Sequence, residues 1–217
     1  NITGYEVQTD RDKYLVRKLI LAVGGSAAPA QGTTGDGYRM LQELGVAIVP
    51  PLPALTSIEL DDACCKLWSG VRIMGQVELW CEGSRLAEDI GEIQMVAKGI
   101  SGIPVFQISS PASKALYQKK QAELTINFLP DFSEDMLTQE LQRRFSRDAG
   151  IQDAAESLRG LLNHKLIPVI LKAAGIPVHE HTERISQKQT ETLCRQIQTF
   201  PVRLKKVRDF SVAQVCT

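Results

Sequence analysis

Long apolar runs are missing from this chain. The runs at residues 19–23 and 169–171 are short and are cut by charge or glycine within a few positions. Crossing a bilayer as a helix takes roughly 20 apolar residues, so no membrane partner is expected. Net charge is missing as well, because 25 Lys+Arg stand against 25 Asp+Glu. A nucleic-acid partner, which calls for a basic excess to displace counterions, is therefore not expected either. The only basic cluster, Lys205-Lys206-Val207-Arg208, reads as a surface strand. Histidine is scarce, at three. His179-Glu180-His181 could offer two nitrogens, but Pro177 and Thr182 around it point to a surface loop, and no metal site is expected. The five cysteines are odd in number and contain no C-x-x-C pair. Cys64 and Cys65 are adjacent, which strains a disulfide between them. Free thiols in a reducing cytoplasm are the expectation.

Catalytic signatures are sparse too. No G-x-G-x-x-G and no Walker lysine occur. Gly99-Ile100-Ser101-Gly102 lacks the spacing of a nucleophile elbow, and no histidine or acid stands where a triad needs it. The acidic pairs Asp61-Asp62 and Glu88-Asp89 read as solvated turns. No catalytic residue is assigned. An initiator Met is absent, and the chain closes on Val215-Cys216-Thr217 in mid-strand. Both ends read as cuts in something longer.

What is present is ordinary globular material: 217 residues, 43% hydrophobic and 23% charged, enough to bury a core. Tyr5, Val7 and Thr9 alternate, a turn follows at 10–13, and 14–17 returns as a hairpin partner. Residues 19–23 read as a fully buried strand ending on Gly24-Gly25. A loop of small residues leads to a helix opened by Asp36 and ended by Gly45. Residues 46–49 read as a second buried strand. Pro50, Pro51 and Pro53 then stiffen the chain and mark a domain crossing.

Residues 54–130 are β-rich. Short strands are read at 71–73, 77–81, 86–90, 92–96 and 122–128, with turns at Gly75-Gln76 and at Glu82-Gly83-Ser84. A glycine-containing loop at 99–104 and a helix at 105–117 complete the segment. Helices follow at 133–145, where Ser133 caps the first turn, then at 151–162, 165–174 and from Ser186 to the Phe200-Pro201 break. Strands return at 202–204 and 210–215. The fold class is therefore α+β, in four segments. Residues 1–53 and 201–217 are pieces of one α/β body. Residues 54–130 are an antiparallel sheet or small barrel, and 131–200 a helical bundle, together forming an inserted domain.

One constellation carries chemistry: Val23-Gly24-Gly25 and Thr34-Gly35-Asp36-Gly37-Tyr38. Glycine after a buried strand lets backbone amides press against a ligand, and a helix N-terminus favours an anion. Two structural turns, with Asp36 as a cap, would account for the same residues. These motifs, with Val49-Pro50-Pro51-Leu52-Pro53-Ala54-Leu55, Gly91-Glu92, Gly99-Ile100-Ser101-Gly102-Ile103-Pro104-Val105 and Ala213-Gln214-Val215, resemble bacterial FAD-dependent oxidoreductases of the aminoacetone-oxidase-like type, often called NAD(FAD)-utilising dehydrogenases. The chain departs from that pattern at Val23, where threonine is common, and at Val96-Ala97-Lys98, where a polar run is usual.

The resemblance implies the middle of a cytoplasmic flavoprotein oxidoreductase: an insert domain with flanking FAD-domain segments. Gly24, Gly25, Gly35, Asp36 and Gly37 would lie near FAD in the parent protein, and NAD(P)H linkage stays open. The pyrophosphate grip of such proteins is not in this sequence, so the chain alone is expected to be inactive and to bind no FAD. The substrate is a small molecule the sequence does not identify, and the oligomeric state is not set. The other reading that stands is an autonomous, non-catalytic domain binding a small molecule or partner.

Overall fold

The computed structural model describes residues 4–146 and 150–217. A short hairpin, β1 (Tyr5–Gln8) and β2 (Lys13–Val16), opens them. α1 (Asp36–Glu43) begins after Gly35 and ends in a Schellman arrangement. There Gly45 (φ +77°) donates to Gln42 and Val46 to Leu41. The two buried strands expected at 19–23 and 46–49 do not form. Both segments are irregular, with Ile20 89% and Val49 86% exposed. A buried parallel strand needs a partner on each side, and neither segment pairs with any strand among the described residues.

β3 (Pro53–Ala54), β4 (Ile58–Leu60) and the short α2 (Cys64–Trp68) lead into β5 (Arg72–Cys81) and β6 (Ser84–Val96). The turn expected at Gly75-Gln76 is absent. Gly75 pairs with Gly91, and Gln76 with Ile90 on one side and Asn127 on the other, so the strand runs straight through. The hairpin turns at Glu82 (φ +51°) and Gly83 (φ +79°), as expected, in a two-residue loop with both central φ positive. The glycine loop expected at 99–104 is β7 (Gly99–Ser101) followed directly by α3 (Ile103–Tyr117). A Cβ on Gly99 would sit 2.0 Å from the Ile58 carbonyl oxygen, so glycine here permits strand pairing.

β8 (Ala122–Asn127) alternates as its sequence implies. The helical segment comprises α4 (Glu134–Phe145), α5 (Ala154–Ser157), α6 (Ile167–Ala173) and α7 (Gln187–Gln198). Ser133 caps α4, and Ser186 with Gln189 forms a capping box on α7. The helix expected at 151–162 shrinks to one turn capped by Asp153; part of the region before it, 147–149, lies outside the described residues. β9 (Phe200–Val207) starts at the proline break, and β10 (Val215–Cys216) ends the chain. The strand expected at 210–215 is mostly turn.

Six strands close into an antiparallel barrel in the order β4-β7-β6-β5-β8-β9. The fold is thus α+β, a barrel with a helical module. Residues 200–207 belong to the barrel, and only β10 leaves it, pairing with β3. Barrel and helices share one core. Trp68 from α2 meets Phe128 beyond β8 and Phe200 at the start of β9, with ring centroids 5.6–6.4 Å apart in tilted and edge-on geometries. Leu158, Leu166, Ile170, Leu193 and Ile197 belong to the same buried cluster.

Trp68 is fully buried. Trp68→Ala is expected to cost about 3–5 kcal/mol in chemical denaturation, the usual range for deleting a core aromatic. α4 is tied to α5 by Arg144, which bonds Glu140 and the carbonyls of Ser157 and Arg159. Hydrogen bonds from Arg143, then Arg144, hold the Glu140 carboxyl down to about 2. The folded pKa is below the unfolded one, so this stabilisation is complete above the ordinary carboxylate range and disappears as pH falls toward 2. Glu140→Gln should cost about 0.5–1 kcal/mol at neutral pH, solvent screening keeping it small. The gap to the unaltered protein should vanish in melts taken near the acid limit.

Candidate functional site

The two glycine clusters, ten residues apart in sequence, come together at one end of the molecule. Gly24 takes φ +77° and Gly35 φ +77°, a backbone region that favours glycine. Each added Cβ would collide with the other loop or its neighbours. On Gly24 it would lie 2.8 Å from Thr33 Oγ1, on Gly35 2.7 Å from Ser26 Oγ, and on Gly37 2.7 Å from Val23 Cγ2. On Gly25 it would lie 2.8 Å from Cys216 Sγ. The close approach that these glycines allow is therefore between two loops of the protein itself. Thr33 donates its hydroxyl to the Gly25 carbonyl and closes the junction. Asp36 does not cap α1; Gly35 occupies that position, while the Asp36 carboxylate accepts from the Thr34 hydroxyl and pairs with Arg39.

A ribbon delivers the last partner. β3 and β10 pair through Val215↔Ala54 and Cys216↔Pro53, and Leu52 and Thr217 exchange backbone hydrogen bonds of 3.1 and 2.9 Å. α3 holds this ribbon against the barrel. Its buried Ser113 donates to the Pro53 carbonyl at 2.6 Å, and Ser109 Oγ accepts from the Thr56 amide at 3.3 Å. The Ala28 amide bonds the Phe210 carbonyl at 2.9 Å and anchors the loop to the same end.

Cys216 Sγ lies 3.2 Å from the Tyr38 hydroxyl. Burial raises the thiol pKa, but the Tyr38 hydroxyl and the backbone N–H groups of Ser26 and Ala27 outweigh it, and the net shift is downward. Hydrogen bonding to the sulfur raises Tyr38 in turn. The corner after the first glycine cluster thus stabilises a negative charge on sulfur, as amide and hydroxyl donors do for a thiolate. Sequence reading located the glycines and Asp36 but missed Tyr38 and Cys216 as partners. They are 178 positions apart, and only pairing of the ribbon joins them.

Elsewhere, His179 Nδ1 contacts Asp153 Oδ2 at 2.8 Å. Among the described residues no group of three or more His, Cys, Asp and Glu is placed to hold a metal, and no helix is long and apolar enough to cross a membrane. Lys206 and Arg208 of the basic run face Glu59.

A closed antiparallel barrel continuous with a short-helix module defines the class of domain. A family model described as "HI0933-like protein barrel and H2TH domain" matches residues 52–215, and the chain belongs to that family. The chain is 30% identical over 213 residues to a 3-dehydro-bile acid delta(4,6)-reductase of Clostridium scindens, covering 98% of this chain and 52% of that protein. It is 27% identical over 130 residues to a ribosomal RNA dihydrouridine synthase of Haemophilus influenzae, covering 58% of this chain and 30% of that one. The chain thus spans about half the length, or less, of these relatives.

Removing the Tyr38 hydroxyl tests the corner. Tyr38→Phe should raise the Cys216 pKa, lower its thiolate fraction and slow its alkylation by iodoacetamide near pH 7. Peptide mass spectrometry locates the product, and an unchanged rate at Cys216 would show that the hydroxyl does not tune the thiol.

Proposed function

We propose that this chain is the substrate-side insert, with flanking segments of the flavin domain, of a bacterial FAD-dependent oxidoreductase of the aminoacetone-oxidase-like type. The observation that carries this reading is the bare apolar edge at the glycine junction. Residues 19–23 and 46–49 have the composition of buried strands, yet Ile20 and Val49 lie almost wholly in solvent. Apolar segments of that kind are covered by neighbouring strands in a complete α/β body. The similarity to a reductase along nearly the whole chain supports the same reading.

FAD, when bound, supplies the hydride chemistry. The spaces a Cβ would fill at Gly24, Gly25, Gly35 and Gly37 are taken by protein atoms, so these residues are not an open pyrophosphate cradle. With Asp36 they fit the rim of a cofactor site whose grip lies in other residues. The barrel and helical module would close over the substrate side.

The substrate is a small molecule rather than RNA. The helical segment 131–200 carries 9 basic against 10 acidic residues, and 54–130 carries 7 against 9. A surface reading phosphates would need the opposite balance. This favours the bile acid reductase over the RNA-modifying relative as a guide to substrate class, and a cytoplasmic setting suits the reading.

Mixing the purified chain with FAD tests the assignment. No shift of the flavin spectrum is expected from the chain alone, whereas a longer protein carrying it should be yellow and should oxidise NAD(P)H in the presence of a conjugated enone. Tight stoichiometric FAD binding by the chain alone, or a longer protein that stays colourless after reconstitution with FAD, would overturn the reading.

A further inference from the structure

The outer wall of the barrel carries an indole that lies outside the core. β5 alternates, so Val77, Leu79 and Cys81 are buried while Gln76, Glu78 and Trp80 face outward. Trp80 is half-buried. Its one N–H is shared between Glu78 Oε2 at 3.0 Å and Thr125 Oγ1 at 3.2 Å. Thr125 in turn donates to Glu78 Oε2 at 2.9 Å, and Arg85 donates to Glu78 Oε1 at 2.9 Å. The ring is therefore fixed by its edge. Among the described residues no other ring and no cation stacks on it.

Trp80 lines a cavity of about 250 Å³ with Glu82, Gly83, Gln121, Glu123 and Thr125. Glu82 and Gly83 form the turn between β5 and β6, and Glu123 lies directly opposite Trp80 on β8. The lining holds two carboxylates and no basic residue. Glu123 makes no side-chain hydrogen bond or ion pair among the described residues. Glu82 has a loose, exposed contact of 3.7 Å with Lys120, and Arg85 is taken up by Glu78 and Glu88. Arg203, the cross-strand neighbour of Glu123, lines the next cavity along the sheet. Negative charge is thus in excess around an open aromatic surface. The faces of an indole are the negative part of its quadrupole. Donation of its N–H to a carboxylate polarises the ring and adds electron density to those faces.

We propose that this cavity binds a small organic cation of the quaternary ammonium class, a choline-type head, with its methyl groups against the Trp80 ring and its charge beside Glu123 and Glu82. The two carboxylates repel an anion, and a neutral molecule gains nothing from them. A primary ammonium needs three acceptors in place and is strongly hydrated. A quaternary ammonium has no N–H to satisfy, spreads its charge over methyl groups and is attracted to the face of an indole. The cavity is smaller than the roughly 300–1,000 Å³ usual for larger ligands, so it suits a head group rather than a polycyclic substrate. The site stands on the barrel wall and does not depend on the flavin reading.

Nuclear magnetic resonance reads the site directly, because the chain has two tryptophans and so two indole N–H signals. Trp80→Phe assigns them by removing one. Where that variant does not fold, slow exchange of the buried Trp68 N–H in heavy water makes the same assignment. Titration of the unaltered chain with choline chloride should shift the Trp80 signal saturably, at about millimolar concentration, and leave Trp68 in place. Ammonium chloride and the neutral carbon isostere of choline, with tert-butyl for trimethylammonium, should each leave both signals in place. Glu123→Gln should weaken choline binding about two- to fivefold, the worth of one exposed charge contact, and added salt should weaken it too. Phosphatidylcholine vesicles then separate the two sources of such a head: cosedimentation that choline competes away marks a lipid, and none marks a free solute. A Trp80 signal that does not saturate, one that moves equally with the neutral isostere, or unchanged affinity in both Glu123→Gln and Glu82→Gln would overturn the proposal.

Discussion

The contact among Trp68, Phe128 and Phe200 decides the shape of this protein. Phe128 follows β8, and Phe200 begins β9, the two strands between which all four helices of the bundle are inserted. Where the chain leaves the barrel and where it returns are therefore pinned to the same indole ring. A six-stranded barrel has little interior to spare, and its end must be stoppered by side chains. Here the plug is also the first layer of the helical core, so barrel and bundle bury one continuous apolar cluster. Separation of the two modules would expose large aromatic area, the most favourable kind to bury.

From that fixed body the glycine junction hangs by a thin connection. The ribbon β3–β10 has two pairs, and α3 holds it through Ser109 and Ser113. The loops carrying Gly24, Gly25, Gly35 and Gly37 then pack on Cys216 and on each other. Burial thus falls from barrel to ribbon to junction. The apolar residues around 19–23 and 46–49 lie at the exposed end, bare of the neighbours that their composition calls for.

Local chemistry made a good part of this legible. Ser133 and Ser186 cap helices because a hydroxyl can accept from a free first-turn amide, and nothing distant is needed. Gly45 and Gly175 close helices for an equally local reason. The alternation at 122–128 and the turn at Glu82-Gly83 follow from period and from positive φ. The glycines at 75 and 99 misled, because the same residue that permits a turn also permits close strand pairing. Which of the two occurs depends on Asn127 and Ile58, far away in sequence. Residues 19–23 misled differently: their pattern asks for a sheet that the described residues do not contain.

Sequence by itself determined the α+β character, the helix ends, the alternating strands, the lack of net charge and the glycine clusters. All of these depend on residues within a turn or two of one another, or on totals. Tertiary structure decided the closure of the barrel, the membership of β9 in it, the meeting of Trp68 with Phe128 and Phe200, and the seating of Cys216 against Tyr38. Those depend on strand register and on loop closure between residues up to 178 positions apart. A one-residue slip in register turns every side chain to the other face, and local composition carries no record of which register wins.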